Sequence, residues 1–215
     1  MVGGAISQKE PDFRSFGNFG SLVENMPRRE TELCTGEYYH VYNRGNNRQP
    51  VFLERENYLF FLRQWRRYLG PVSDVVAYCL MPTHYHVLVL VRADDFSHGM
   101  QLFGISYTKA INRRYGRVGA LFQGAFQAKH IERNEYLLHL SRYIHLNPLL
   151  SGLVQRPEEW QFSSYPEYLR LRSGTLPSAG IVLEQFPSVD AYRNFVESYV
   201  SQDRETVAAL LFDDD

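Results

Sequence analysis

Asp74-Val75-Val76-Ala77-Tyr78-Cys79-Leu80-Met81-Pro82-Thr83-His84-Tyr85-His86-Val87-Leu88-Val89-Leu90-Val91 is the stretch on which the fold turns. Both halves are rich in β-branched and aromatic residues, and only Pro82-Thr83 separates them. That pattern predicts two strands, Asp74 to Met81 and His84 to Val91, joined as a tight hairpin. The run Val87 to Val91 marks the second of them as a core strand.

Working outward, Tyr38 to Tyr42 reads as a preceding strand, and Arg44 to Pro50 as a polar loop with Gly45, Asn46 and Asn47 as turn formers. Glu54 to Leu69 has Tyr58, Phe61, Leu62, Trp65 and Leu69 at helical spacing, stopped by Gly70-Pro71. Beyond the hairpin, Phe96 to Tyr115 predicts a helix ending at Gly116, and Leu121 to Ile131 a strand. Asn134 to Leu146 predicts a third helix with Asn134 as its N-cap and Pro148 limiting it. The order β-α-β-β-α-β-α is an α+β, ferredoxin-like split βαβ arrangement. It implies one antiparallel sheet with helices packed on one face. The other face would be a platform for a ligand or nucleic acid. After residue 150 the pattern weakens. Ser163 to Arg172, Asp190 to Gln202 and Glu205 to Leu211 predict a helical C-terminal extension. The domain reading is a flexible arm over 1–36, a main domain over 37–165 and an acidic, partly helical extension over 166–215.

The 215 residues carry a formal net charge of −1, which by itself argues against a nucleic-acid partner. The total hides a distribution. Residues 1–36 hold a net −1, residues 37–172 a net +6 and residues 173–215 a net −6. A basic core is what a phosphate-backbone ligand needs. No stretch approaches 18 uninterrupted apolar residues, and the start lacks a basic region followed by an apolar core. Cys34 and Cys79 suggest neither a disulfide scaffold nor a zinc site. The expectation is a cytoplasmic protein with no membrane partner.

Two constellations bear chemistry. His84 and His86 are two apart on a strand, so both imidazoles project from one face, as in a bidentate metal site. An isolated His-x-His is also compatible with two histidines that merely sit on a sheet. Tyr143 and Asn147 are four apart on the third helix and share a face. By spacing alone they read more readily as an aromatic packing stripe and a helix terminator.

Together the motifs resemble the HUH single-tyrosine transposases, with their IS200-like fold, and more specifically the REP-associated tyrosine transposases. The matching stretches are Tyr39 to Asn46, Ala77 to Leu88, Asn112 to Gly116, Phe122-Gln123-Gly124 and Arg142 to Leu149. The resemblance covers about residues 37–165. It implies His84, His86 and Asn147 as ligands of a divalent metal, Mg²⁺ or Mn²⁺. It implies Tyr143 as the nucleophile of DNA cleavage and strand transfer on single-stranded or hairpin (REP-type) DNA, through a 5′-phosphotyrosine intermediate. Asn43, Arg44 and Asn46 in the first loop, and Arg113, Arg114 and Arg117 near the end of the second long helix, would contact DNA. Arg63, Arg66 and Arg67 supply further positive charge. Relatives often place Arg where this chain has Ala125. Tyr115 and Tyr136 are rival nucleophiles, but Gly119 and Leu140 stand where each would need a ligand one turn on. The REP-associated branch implies a monomer, and the trans-acting tyrosine helix of other relatives keeps a dimer open. Two rivals remain: a non-catalytic nucleic-acid binder on the same fold, and a metal hydrolase that uses water.

Overall fold

The computed structural model describes residues 32–198. The arm up to residue 31 and the helix expected over Glu205 to Leu211 lie outside the described residues.

Strand β1 (Tyr38–Arg44) leads through a 3-10 turn (Asn46–Arg48) to helix α1 (Arg55–Tyr68). Strands β2 (Ser73–Met81) and β3 (His84–Val91) follow, then α2 (Phe96–Tyr115), β4 (Gln127–Ile131) and α3 (Asn134–Leu150). The C-terminal part adds α4 (Tyr165–Tyr168), α5 (Gly180–Leu183) and α6 (Val189–Glu197). All strand pairs are antiparallel and the sheet order is β2-β3-β1-β4, the ferredoxin-like order expected from the sequence. Met81 pairs with His84 across the Pro82-Thr83 turn, so the hairpin register places both histidines on one face.

One face is covered as expected. Phe61 and Trp65 of α1, with Phe103 and Tyr107 of α2, pack on Tyr39, Val41, Tyr85 and Val87. The other face, expected to be an open platform, is roofed by α3 and the C-terminal helices. Leu140, Tyr143 and Ile144 of α3 share a second core with Val76, Ala77, Cys79, Met81 and Leu88, and Tyr165, Tyr168 and Tyr192 join it. The physical reason lies in the strands. β2 and β3 are apolar on both sides, which requires cover on both.

Several boundaries differ from expectation. The segment Leu121 to Phe126 is a loop and not strand, because it docks against the end of β1. Phe122 bridges Gly45, and Gln123 donates its N–H to the Arg44 carbonyl at 2.9 Å. Helix α3 runs through Pro148 to Leu150. A proline so near the end removes a single intrahelical bond, and Ser151 N–H still closes on the Asn147 carbonyl at 3.0 Å. Arg133, not Asn134, is the N-cap of α3. The Asn134 amide instead accepts from Gln185 Nε2 at 3.0 Å, joining the start of α3 to the segment after α5.

Candidate active site

Tyr38, His40, Tyr42 and Arg44 alternate on the α3 side of β1, and His84 and His86 on the same side of β3. The register sets Arg44 opposite His84 and Tyr42 opposite His86. The imidazoles of His84 and His86 stand edge to face with centroids 5.0 Å apart. Each ring engages a neighbour through Nδ1: His84 with Thr83 Oγ1 at 3.0 Å, and His86 with His40 Nε2 at 3.0 Å. The Nε2 atom of each is buried. A histidine fixed through one ring nitrogen presents the other to a ligand in a set orientation. Burial holds the His86 imidazole well below its ordinary pKa, and His84 and His40 reinforce the effect. The ring is therefore neutral at pH 7, the form that binds a cation.

Helix α3 brings Tyr143 to this cluster. Its ring meets His86 edge to face at 5.9 Å and is buried, 3% exposed. Asn147 follows one turn later and is also buried. Among the described residues no group of three His, Cys, Asp or Glu side chains is disposed to hold a metal. The structure brings together the imidazoles of His84 and His86, and neutral imidazoles suit a divalent transition-metal cation.

The structure sets Tyr115 apart from the histidines. The Tyr115 hydroxyl donates to Asn57 Oδ1 at 3.0 Å, on the α1–α2 side of the sheet. Tyr136 is two turns before Tyr143, with the Arg133 guanidinium 5.7 Å over its ring.

The expected DNA contacts gather where β1 ends and β3 begins. Gly45 N–H donates to the Thr83 carbonyl at 2.7 Å, so the first loop sits against the residue preceding His84. A Cβ on Gly45 would lie 1.9 Å from the Gln49 carbonyl oxygen, so only glycine permits this turn. Asn46 N–H donates to the Leu121 carbonyl at 2.9 Å. Asn43 is buried: its Nδ2 donates to the Gly124 carbonyl at 3.3 Å, and its Oδ1 accepts from Arg44 N–H. Its amide shapes the loop from within. Arg44 Nε donates to Gln123 Oε1 at 2.6 Å. Arg117 reaches Gln49 at 3.2 Å, Arg114 pairs with Glu54 at 2.5 Å, and Arg113 is exposed. Arg44, Asn46 and Arg117 thus belong to one loop cluster beside His84.

Sequence reasoning did not single out His40, Tyr42 or Lys129. His40 is fully buried against His86, the Tyr42 ring lies tilted beside His40 with centroids 4.9 Å apart, and Lys129 Nζ lies 5.8 Å from the Tyr42 ring centre. The signal was there in the alternation Tyr38, His40, Tyr42, but it needs the β1–β3 pairing to point at His86. His145 was also passed over. It is buried between Tyr192 Oη and Ser164 Oγ, each at 2.8 Å, and burial pushes its pKa down to about 3. It is a neutral tie between α3 and the C-terminal segment.

No family model matches the chain. A Haemophilus influenzae protein named "Putative REP-associated tyrosine transposase" is 24% identical over 103 residues, 43% of this chain and 58% of that protein. The chain thus spans little more than half the length of this curated relative. A solved structure of a REP-associated tyrosine transposase bound to a REP hairpin superposes with a TM-score of 0.58 at 18% identity. It covers 71% of this chain and 94% of that one, and it shares the fold. The curated relative bears the name of the family that the sequence motifs resemble, and the solved structure shares its fold with this chain.

Proposed function

We propose that this chain is a tyrosine transposase of the REP-associated kind, which cleaves and rejoins single-stranded or hairpin DNA through a 5′-phosphotyrosine intermediate. The observation that carries the reading is the apposition of Tyr143 to His86 across the α3–sheet seam. Five sequence motifs and the fold of the solved relative support it.

The chemistry follows from the residues. The Tyr143 oxygen attacks the scissile phosphorus as its phenolic proton passes to solvent, and the bond from phosphorus to the 3′ oxygen breaks as that oxygen takes a proton from solvent. The 3′ oxygen leaves as a hydroxyl, and DNA stays linked to Tyr143 through its 5′ phosphate. A second 3′-hydroxyl reverses the step and joins strands. His84, His86 and Asn147 would hold a divalent cation, which when bound polarises the phosphate and offsets charge on the leaving oxygen. In the tautomer this requires, His86 donates its Nδ1 hydrogen to His40 and turns its Nε2 lone pair to the site. His40 is therefore a positioning residue. Arg44 and Arg117 would neutralise the DNA backbone beside His84 with Asn46 as a hydrogen-bonding partner, Arg113 and Arg114 would add charge farther along α2, and Asn43 would hold the first loop. Because Tyr143 is buried, strand entry requires the seam around it to open.

The test is a denaturation-resistant adduct between full-length protein and hairpin DNA with single-stranded flanks, assayed with Mg²⁺ or Mn²⁺ and with chelator. Wild-type protein forms the adduct with metal, and Tyr143→Phe forms none while still shifting the DNA in a gel. Undiminished adduct in Tyr143→Phe overturns the nucleophile. The burial of Tyr143 also favours a second reading, a non-catalytic hairpin binder on the same fold. That protein gives the gel shift and no adduct under any condition. Cleavage without adduct, indifferent to Tyr143, marks a hydrolase.

A further inference from the structure

The outer face of α1 carries Arg55, Leu59, Leu62 and Arg66 in one stripe, with Arg63 beside it. This face is turned away from the centre of the sheet, with Leu62 half-buried at the margin of the first core. It forms one wall of a cavity of about 320 Å³, at the small end of ligand-pocket sizes. The opposite wall is the segment that runs along the edge of β2, with Phe162 and Leu176 as its apolar surface. That wall is built. Leu80 N–H donates to the Phe162 carbonyl at 2.9 Å, and Ser178 N–H to the Val75 carbonyl at 2.7 Å. Arg66 reaches Thr175 Oγ1 across the cavity at 2.8 Å.

The charge within it is one-sided. Glu167 is the single acidic residue lining the cavity, and it is held by Arg172 at 2.5 Å. Arg172 also donates to the carbonyls of Gln161 and Ser163. A Cβ at Gly174 would collide with Glu167, so glycine leaves this pair its space. With that pair neutralised, Arg55, Arg63 and Arg66 remain as basic groups over an apolar floor. Arg55 lies 3.8 Å from the exposed Glu56. Arg63 stands 5.9 Å over the Phe60 ring. Three arginines lining the same cavity as Leu59, Leu62, Phe162 and Leu176 fit a ligand with an anionic phosphate and a flat ring. Single-stranded nucleic acid supplies that pair once per nucleotide.

We infer that the groove between α1 and residues 161–176 is a second DNA subsite, seating a nucleotide of the single-stranded flank with its phosphate on Arg55, Arg63 and Arg66. It lies on the α1 side of the sheet edge, opposite the face of His84, His86 and Tyr143, so it would hold strand that has passed round β2. The inference rests on the reading of the chain as a DNA-acting protein, which adduct formation by wild-type protein tests separately.

The experiment compares full-length wild type with the Arg63→Gln/Arg66→Gln variant. Each is titrated with a DNA hairpin bearing oligo(dT) flanks and with the same hairpin lacking them, over a range of salt, after matching melting curves. The expected result is that the flank tightens binding by wild type and not by the variant. The salt slope on flanked DNA should fall by about 0.7, the share of the one single-strand phosphate that the variant no longer neutralises. An unchanged slope, or an equal loss on both DNAs, overturns the subsite and leaves these arginines as general surface charge. Thymidine monophosphate is the third arm. Flank binding that survives its excess supports a strand site. Loss of dTMP binding on substitution, without any flank effect, overturns it in favour of a free-nucleotide pocket. Adduct formation with a dead groove, or a live groove without adduct, separates the two proposals.

Discussion

The two faces of the sheet are built from the same four strands and differ in what they bury. Toward α1 and α2 the side chains are nearly all apolar or aromatic. Phe61 alone has five aromatic rings around it, those of Phe52, Trp65, Tyr85, Phe103 and Tyr107, at 4.8–5.9 Å. Toward α3 the same β3 strand presents His84 and His86, β1 presents His40 and Tyr42, and α3 adds Tyr143, Asn147 and His145. One face is closed by packing alone, the other by packing that also encloses a patch of hydrogen-bonded polar groups. Packing is tolerant of chemistry but not of volume. A polar network reverses that order, since an unsatisfied buried partner is what it cannot absorb.

The largest expected effect tests the packed face. Phe61→Ala should destabilise the protein by about 3–5 kcal/mol, by lost transfer energy and the cavity left behind. Tyr143→Phe on the other face keeps the ring and removes one hydroxyl, so its cost should stay near the roughly 1 kcal/mol of a single hydrogen bond. If the two variants lose similar stability in urea titrations, the contrast between the faces is wrong.

The next effect is a pH dependence confined to the polar face. His145 has a folded pKa near 3, below its unfolded value of about 6.5, so the unfolded chain binds more protons between those limits. Its contribution is complete above pH 6.5 and is lost as pH falls toward 3. From pH 7 to pH 5 the loss through His145 comes to about 2 kcal/mol. His86, also held low by burial, adds a slope of the same sign. His145→Leu should flatten the stability profile across this window, whatever it does to stability at pH 7. A profile as steep as wild type would remove His145 from the account.

These contrasts were unevenly legible in the sequence. β3 and α2 have the boundaries their punctuation predicts, because Pro82-Thr83 and Gly116 stop the chain locally. Gly116 takes φ +62°, the left-handed cap that ends α2. The start of β4 was not legible, since Leu121 and Phe122 have the apolar character of a strand but spend it against the end of β1. The covered second face was hidden for a similar reason. Ser141 to Pro148 is buried without a break, so α3 has no polar side to reveal that the sheet lies on one flank and the C-terminal helices on the other. Tyr143, His84 and His86 stood out through their motifs. His40 did not, because its role depends on a strand pairing that joins residues 46 apart.

A smaller effect probes the loop that joins the faces. Asn43→Ala removes the bond to the Gly124 carbonyl and leaves the Arg44 N–H without its acceptor. The expected cost is about 1 kcal/mol, read from thermal melts, with weaker hairpin binding as the loop beside Thr83 loosens. Full wild-type affinity would show that the loop is held by its backbone bonds alone.

The smallest effect belongs to Tyr115→Phe, and it bears most directly on which face does chemistry. Asn57 Oδ1 accepts from Leu53 N–H, Glu54 N–H and the Tyr115 hydroxyl, at 2.9, 3.2 and 3.0 Å. Losing the hydroxyl leaves both backbone bonds, which hold the entry to α1. The stability change should therefore stay near 0.5 kcal/mol, at the low end for one hydrogen bond. Adduct formation should match wild type, because Tyr115 lies across the sheet from His84 and His86. Loss of the adduct in Tyr115→Phe, with folding intact, would move the nucleophile to the packed face. The histidine pair would then sit on the wrong side of the sheet for the reaction.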